Sequence, residues 1–118
     1  MKTLLIVDDE LKICDTLSRF FTAMGFKTST AQSGREAMEQ LEREVPDYLL
    51  LDIRMPEMSG LEVLKQTKAR YPGLKVVMVT ALGDAETIDE AFRCGASDYI
   101  TKPFAFSDQA WARAFFAA

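Results

Sequence analysis

The sequence predicts a doubly wound α/β sandwich, five parallel strands alternating with helices, and three observations carry that prediction. Short β-rich runs recur five times, at Thr3–Val7, Phe26–Thr30, Asp47–Leu51, Lys75–Val79 and Asp98–Ile100, with helical patterns between them. Three of these runs are almost continuously apolar, as parallel strands covered by helices on both faces must be. The chain is 118 residues long, enough for one core. Strict alternation implies right-handed crossovers and a single parallel sheet. For five strands the common order is 2-1-3-4-5, with ligands bound outside the carboxyl ends of strands 1 and 3.

The helices follow from periodicity and end signals. In the first, Cys14, Leu17, Phe21 and Met24 recur at three and four residues, and Gly25 stops it. The second and third open with Ser-x-x-Glu boxes, Ser33 to Glu36 and Ser59 to Glu62. The third ends near Tyr71-Pro72-Gly73. Asp84 is placed to cap the fourth, which is expected to bury Ile88, Ala91 and Phe92 and to stop at Gly95. Ser107 is placed to cap a fifth. No linker, low-complexity stretch or internal repeat interrupts the pattern, so residues 1–118 read as one domain.

Composition narrows the chemistry. With 48% hydrophobic and 27% charged residues the balance is that of a globular protein. A net charge of -4 and the lack of any Lys/Arg cluster argue against a nucleic-acid-binding surface. Cys14 and Cys94 have no metal-ligand spacing and read as free thiols. The apolar runs are too short to span a bilayer and no signal peptide precedes the first strand, so the expected location is the cytoplasm. There is no histidine, which removes Ser-His-Asp triads, His-ligated metals and phosphohistidine on this chain.

The switch-point rule directs attention to the residues expected just after strands 1, 3, 4 and 5: Asp8-Asp9, Asp52, Thr80-Ala81 and Thr101-Lys102-Pro103. Together they bring three carboxylates, a hydroxyl and an ammonium to one sheet edge. Clustered carboxylates repel and raise one another's pKa unless positive charge compensates. A hard divalent ion fits oxygen ligands, and Mg²⁺ favours a few carboxylates plus waters. Lys102 adds a second cation. A nucleophile, a metal site and cationic and hydrogen-bonding groups are what phosphoryl transfer requires.

Each residue also has an ordinary explanation. Asp8 or Asp9 alone could cap the first helix, and Asp52 alone could form a turn. Thr80 could be a β-branched strand end, Tyr99 an edge aromatic, and Lys102 a solvated turn lysine. Gly60 and Gly95 need no more than backbone freedom at turns. Those explanations need separate coincidences, whereas one geometry accounts for all the polar residues.

Four segments carry a resemblance: Leu5-Ile6-Val7-Asp8-Asp9-Glu10; Leu51-Asp52-Ile53-Arg54-Met55-Pro56-Glu57-Met58-Ser59-Gly60; Val79-Thr80-Ala81; and Gly95-Ala96-Ser97-Asp98-Tyr99-Ile100-Thr101-Lys102-Pro103-Phe104. In this order and spacing they resemble the receiver domain of two-component response regulators, the CheY-like superfamily, from Lys2 to about Phe106. The resemblance implies that Asp52 accepts a phosphoryl group. It implies that Asp9, Asp8, Asp52 and the backbone carbonyl of Arg54 serve Mg²⁺, with Mn²⁺ as an alternative. Thr80, Ala81 and Lys102 would contact the phosphate, Tyr99 would move with Thr80 as the switch aromatic, and Lys102-Pro103 would be a cis peptide. The implied partner is a sensor histidine kinase or phosphotransfer protein, with a homodimer formed on activation and the signal relayed through the fourth helix, fifth strand and fifth helix. On this reading the chain is a signalling switch that catalyses only its own phosphorylation and dephosphorylation.

Two rivals are weaker. A Mg²⁺-dependent phosphohydrolase with an aspartyl nucleophile would place an acid two residues after Asp52, where this chain has Arg54. A flavodoxin-like electron carrier shares the architecture, but its phosphate loop needs Ser, Thr and Gly where this chain has Asp8-Asp9-Glu10. The last segment departs from the family pattern. Beyond Asp108 the one charged side chain is Arg113, and Trp111, Phe115 and Phe116 cannot share one narrow helical stripe. An altered or truncated tail, an apolar partner face, and a helix packed unlike the family's are the three readings of residues 107–118.

Overall fold

The computed structural model describes residues 1–81, 85–102 and 111–116. Five strands, β1 (Thr3–Val7), β2 (Lys27–Ala31), β3 (Tyr48–Asp52), β4 (Lys75–Ala81) and β5 (Asp98–Lys102), form one parallel sheet in the order β2-β1-β3-β4-β5. Between them run α1 (Leu11–Ala23), α2 (Gly34–Arg43), α3 (Gly60–Arg70) and α4 (Ala85–Arg93). The expected topology is the observed one.

Alternation within the apolar strands divides the core into two layers. Leu5, Val7, Leu49, Leu51, Val76 and Met78 pack with Ala37 and Leu41 of α2, Val63 and Leu64 of α3, and Ala91 of α4. On the opposite face, Leu4, Ile6, Leu50, Val77, Val79 and Ile100 pack with Cys14, Leu17 and Phe21 of α1. Burial of this scale supplies most of the favourable folding energy, at roughly 25 cal/mol per Å² of apolar surface removed from water.

Both Ser-x-x-Glu boxes cap their helices: Ser33 accepts from the Glu36 N–H at 3.1 Å and Ser59 from the Glu62 N–H at 3.3 Å. Gly25 (φ 96°) and Gly95 (φ 104°) end α1 and α4 in the left-handed region, where a side chain would be strained. Asp84 and Ser107, expected as caps, lie outside the described residues.

The structure corrects several boundaries. β2 and β3 start and end one residue later than expected, and β4 and β5 run two residues further. The reason is pairing: the ladder continues through Asp52 opposite Val79, Thr80 opposite Thr101, and Ala81 opposite Lys102. Asp52, Thr80, Ala81 and Lys102 are therefore strand residues rather than loop residues, held by backbone hydrogen bonds. Two apolar residues of the helical patterns are exposed, and Ile88, expected to be buried, is only half-buried. Met24 is the C-terminal cap of α1 and 52% accessible, and Phe92 is 43% accessible because α4 turns Ala91 inward instead.

The terminal segment packs inward. Trp111 and Phe115 are buried on the α1 face, with their rings 5.6 and 4.8 Å from that of Phe21, and Phe115 also meets Tyr48 at 5.3 Å. Residues Ala112–Phe116 form one π-helical turn. Trp111 and Phe115, four residues apart and so on one helical face, meet the same aromatic cluster. These two apolar residues are thus core, and among the described residues they offer no surface to a partner.

Candidate functional site

Three residues of one parity meet at the carboxyl edge of the sheet. Ile6, Leu50 and Ile100 all face the α1 layer, and the residues two further along are Asp8, Asp52 and Lys102. A strand's period of two returns each of these side chains to the same side. Lys102 Nζ donates to Asp8 Oδ2 at 3.0 Å and to Asp52 Oδ2 at 3.5 Å. Carboxylate oxygens of Asp8, Asp9 and Asp52 lie within 4.8 Å of one another. Asp8 and Asp52 are buried, whereas Asp9 is exposed, so the cluster opens to solvent on the Asp9 side.

Asp8 divides its two oxygens. Oδ1 accepts from the backbone N–H of Glu10 at 2.9 Å, turning the chain into α1, while Oδ2 takes the lysine. Its own N–H donates to the Ala31 carbonyl at 3.1 Å. Asp8 does not cap α1, whose N-cap is Glu10 without a side-chain cap hydrogen bond; its Oδ1 instead fixes the turn that leads into the helix.

Electrostatics follow from burial. Burial pushes the Asp52 carboxyl up to about 6, with the Asp8 charge adding to the rise and Lys102 and the Arg54 N–H opposing it. For Lys102, burial pulls the ammonium's pKa down, but the hydrogen bond to Asp8 and the charges of Asp52 and Asp8 outweigh it, and the net direction is up. One ammonium compensates the carboxylates incompletely, and a further positive charge would relieve Asp52. The oxygen-only donor set fits a hard divalent cation, with Asp8, Asp9 and Asp52 available to hold it.

The loop after β3 is built around this carboxylate. Gly60 N–H donates to the Ile53 carbonyl at 2.8 Å, and a Cβ on Gly60 would collide with the Asp52 carbonyl and lie 2.7 Å from the Ile53 Cα. Gly60 is therefore required for close approach of α3 to the strand end, beyond the turn freedom expected of it. Within the same loop, Glu57 sits at φ 68° while the Met58 N–H donates to the Pro56 carbonyl at 2.8 Å. That tight three-residue turn stores backbone strain beside the acidic cluster.

Thr80 is buried on β4 opposite Thr101, and Ala81 stands opposite Lys102. Tyr99 pairs with Met78, so Tyr99 and Thr80 are diagonal neighbours on the face away from Asp52. Tyr99 is half-buried, its ring edge-on to Phe92 at 6.0 Å. The Arg54 side chain is exposed. The Lys102-Pro103 peptide lies outside the described residues.

Residues 4–110 match the response regulator receiver domain. The chain belongs to that family. It is 45% identical over 101 residues to the regulatory protein AtoC of Escherichia coli (strain K12), covering 86% of this chain and 22% of that protein. To the DNA-binding transcriptional regulator NtrC of Klebsiella pneumoniae it is 46% identical over 99 residues, covering 84% of this chain and 21% of that protein. The crystal structure of the receiver domain of NtrX from Brucella abortus superposes with a TM-score of 0.83 at 36% identity, covering 86% of this chain and 87% of that one. A response regulator receiver domain from Clostridium thermocellum gives 0.87 at 27% identity, covering 95% of this chain and 90% of that one.

This receiver domain spans about a fifth of the length of the curated relatives it matches. It is a signalling switch of the phosphorylation-activated kind, and membership implies a histidine kinase or phosphotransfer protein as partner. Among the described residues no helix is long and apolar enough to cross a membrane. Three features of the receiver escaped the sequence. The steric need for Gly60 was signalled only by a glycine following the Ser59 cap. The Cys14 thiol, donating to the Asp8 carbonyl at 3.4 Å beneath the site, had no signal beyond helical spacing. The contacts of Arg113 depend on a π-helical turn that periodicity does not announce.

Proposed function

We propose that Asp52 is the phosphoacceptor of this receiver and that Asp8, Asp9, Asp52 and the Arg54 backbone carbonyl hold Mg²⁺, or Mn²⁺ in its place. The observation that carries the reading is the single ammonium of Lys102 bridging Asp8 and Asp52 at a sheet edge where three carboxylates converge. When bound, the cation supplies charge neutralisation for the phosphoryl oxygens.

The chain's own residues account for the rest. An Asp52 oxygen attacks phosphorus, an O–P bond forms, and the P–N bond of the donor's phosphohistidine breaks with the imidazole leaving. Lys102 stands ready to pair with the phosphoryl oxygens, exchanging its carboxylate partners for a more highly charged one. The Thr80 hydroxyl and the Ala81 N–H, at the end of β4, contact the same group. Thr80 then moves toward it and vacates space beside Tyr99, which shifts the α4–β5 surface and the segment after it; this is a population shift weighted by the phosphoryl contacts. Catalysis is confined to the domain's own phosphorylation and hydrolysis.

The activity of the longer relatives does not transfer automatically. We infer a cytoplasmic receiver that makes no direct nucleic-acid contact, consistent with its net charge of -4, and that signals through partner surfaces, including a homodimer formed on activation. The phosphohydrolase alternative is disfavoured by Arg54, which stands where a general acid would be needed. The test is intact-mass analysis after adding a small phosphodonor with Mg²⁺. One phosphoryl group on the wild type, lost with chelator and lost in Asp52→Asn, supports the proposal; equal labelling of both proteins refutes it.

A further inference from the structure

Arg113 contacts Tyr99 from the unusual end of the chain. Its Nε donates to Asp98 Oδ2 at 2.8 Å and Oδ1 at 3.1 Å, and one terminal nitrogen donates to the Tyr99 carbonyl at 3.0 Å. The guanidinium also lies over the Tyr99 ring, 5.5 Å from its centroid. Asp98 Oδ1 in turn accepts from the Tyr99 N–H at 2.8 Å. Tyr99 is thereby held at its amide, its carbonyl and its ring, which also meets Phe92 at 6.0 Å. The segment that presents Arg113 is anchored independently, because Trp111 and Phe115 are buried in the opposite layer of the core.

We propose that Arg113 is a positioning residue that latches Tyr99 in its resting arrangement, with Asp98 as the latch's fixed half. This rests on the switch role proposed for Tyr99. A contact shifts a two-state equilibrium only by its differential strength in the two states. The stacking of guanidinium on ring exists only while the ring stays in place, so it weights the resting state. The pair is partly exposed, which keeps the bias modest and reversible.

The experiment uses the full chain as wild type, Arg113→Ala, Arg113→Lys and Asp98→Asn. Tyr99 ring resonances are followed by NMR without phosphodonor, and affinity for beryllofluoride with Mg²⁺ is measured on each. The latch requires shifted Tyr99 resonances and beryllofluoride binding tighter by about threefold in Arg113→Ala and Asp98→Asn, with Arg113→Lys between them and wild type. Unmoved Tyr99 resonances in both variants overturn it. Emission from Trp111 reports whether the terminal segment stays packed. If Arg113→Ala exposes Trp111, Asp98→Asn decides, since it leaves that anchor intact, and a wild-type Tyr99 spectrum there overturns the latch. Failure of the wild type to bind beryllofluoride would count against the Asp52 reading instead, while the resonances of the free chain still judge the latch.

Discussion

Lys102 Nζ lies 3.0 Å from Asp8 Oδ2, which joins the end of β5 to the residue that follows β1, 94 residues apart in sequence. Removing the ammonium leaves buried carboxylates facing each other without compensation. Lys102→Met is expected to drive the Asp52 carboxyl further above about 6 and to lower phosphorylation from a small donor by at least about a hundredfold. Labelling rates at saturating Mg²⁺ measure this.

Asp52→Asn is expected to stabilise the metal-free chain. The sign follows from the raised pKa. An acid whose folded value lies near 6 penalises the fold when ionised, so stability is lost as pH rises through that value and regained as it falls toward the unfolded value of about 3.9. The asparagine removes the penalty at neutral pH, and the gain should be on the order of 1–2 kcal/mol. Urea midpoints at pH 7.5 and pH 5 check it: the advantage of the variant should shrink at the lower pH.

Mg²⁺ should raise the melting temperature of the wild type, because it binds the folded cluster and not the unfolded chain. The effect should weaken below about pH 6 as Asp52 takes up a proton. Asp9→Asn removes the exposed ligand and should lose most of the Mg²⁺-dependent gain while leaving the metal-free melting temperature within a few degrees of wild type. Thermal scans with chelator or Mg²⁺ provide the comparison.

Gly60→Ala is expected to cost about 2 kcal/mol or more, because its Cβ meets strand backbone rather than a flexible side chain. Phosphorylation should slow along with it, since the displaced backbone carries Asp52. Denaturant unfolding and labelling measured on the same preparation test both parts.

Trp111→Ala should destabilise the domain by about 3–5 kcal/mol, the cost of truncating a large buried aromatic. A loss under about 1 kcal/mol would mean that the terminal segment contributes little to the core. Calorimetry distinguishes the two.

The legible part of this molecule was the part governed by short periods. Ile6, Leu50 and Ile100 fix the parity of their strands, and Asp8, Asp52 and Lys102 follow two residues later, so their convergence could be read once the strand order was inferred. Boundaries were less legible because Thr80, Ala81 and Lys102 are polar or small at positions where pairing, not apolar content, extends the strand. Phe92 was misassigned since α4 is amphipathic around Ala91 and Ile88, and one further step around the helix leads to solvent. The terminal segment resisted reading for a different reason. Trp111, Phe115 and Phe116 do not fit one narrow stripe together, and the packing of Trp111 and Phe115 against Phe21 is a tertiary contact that periodicity alone does not announce.

The central claim is that Asp52, rather than either neighbouring carboxylate, carries the phosphoryl group. Borohydride reduction of the labelled protein converts an aspartyl phosphate to homoserine, and peptide mapping then locates it. The account predicts homoserine at position 52 alone and only in samples that received both phosphodonor and Mg²⁺. Homoserine at position 8 or 9, with Asp52 intact, would contradict it.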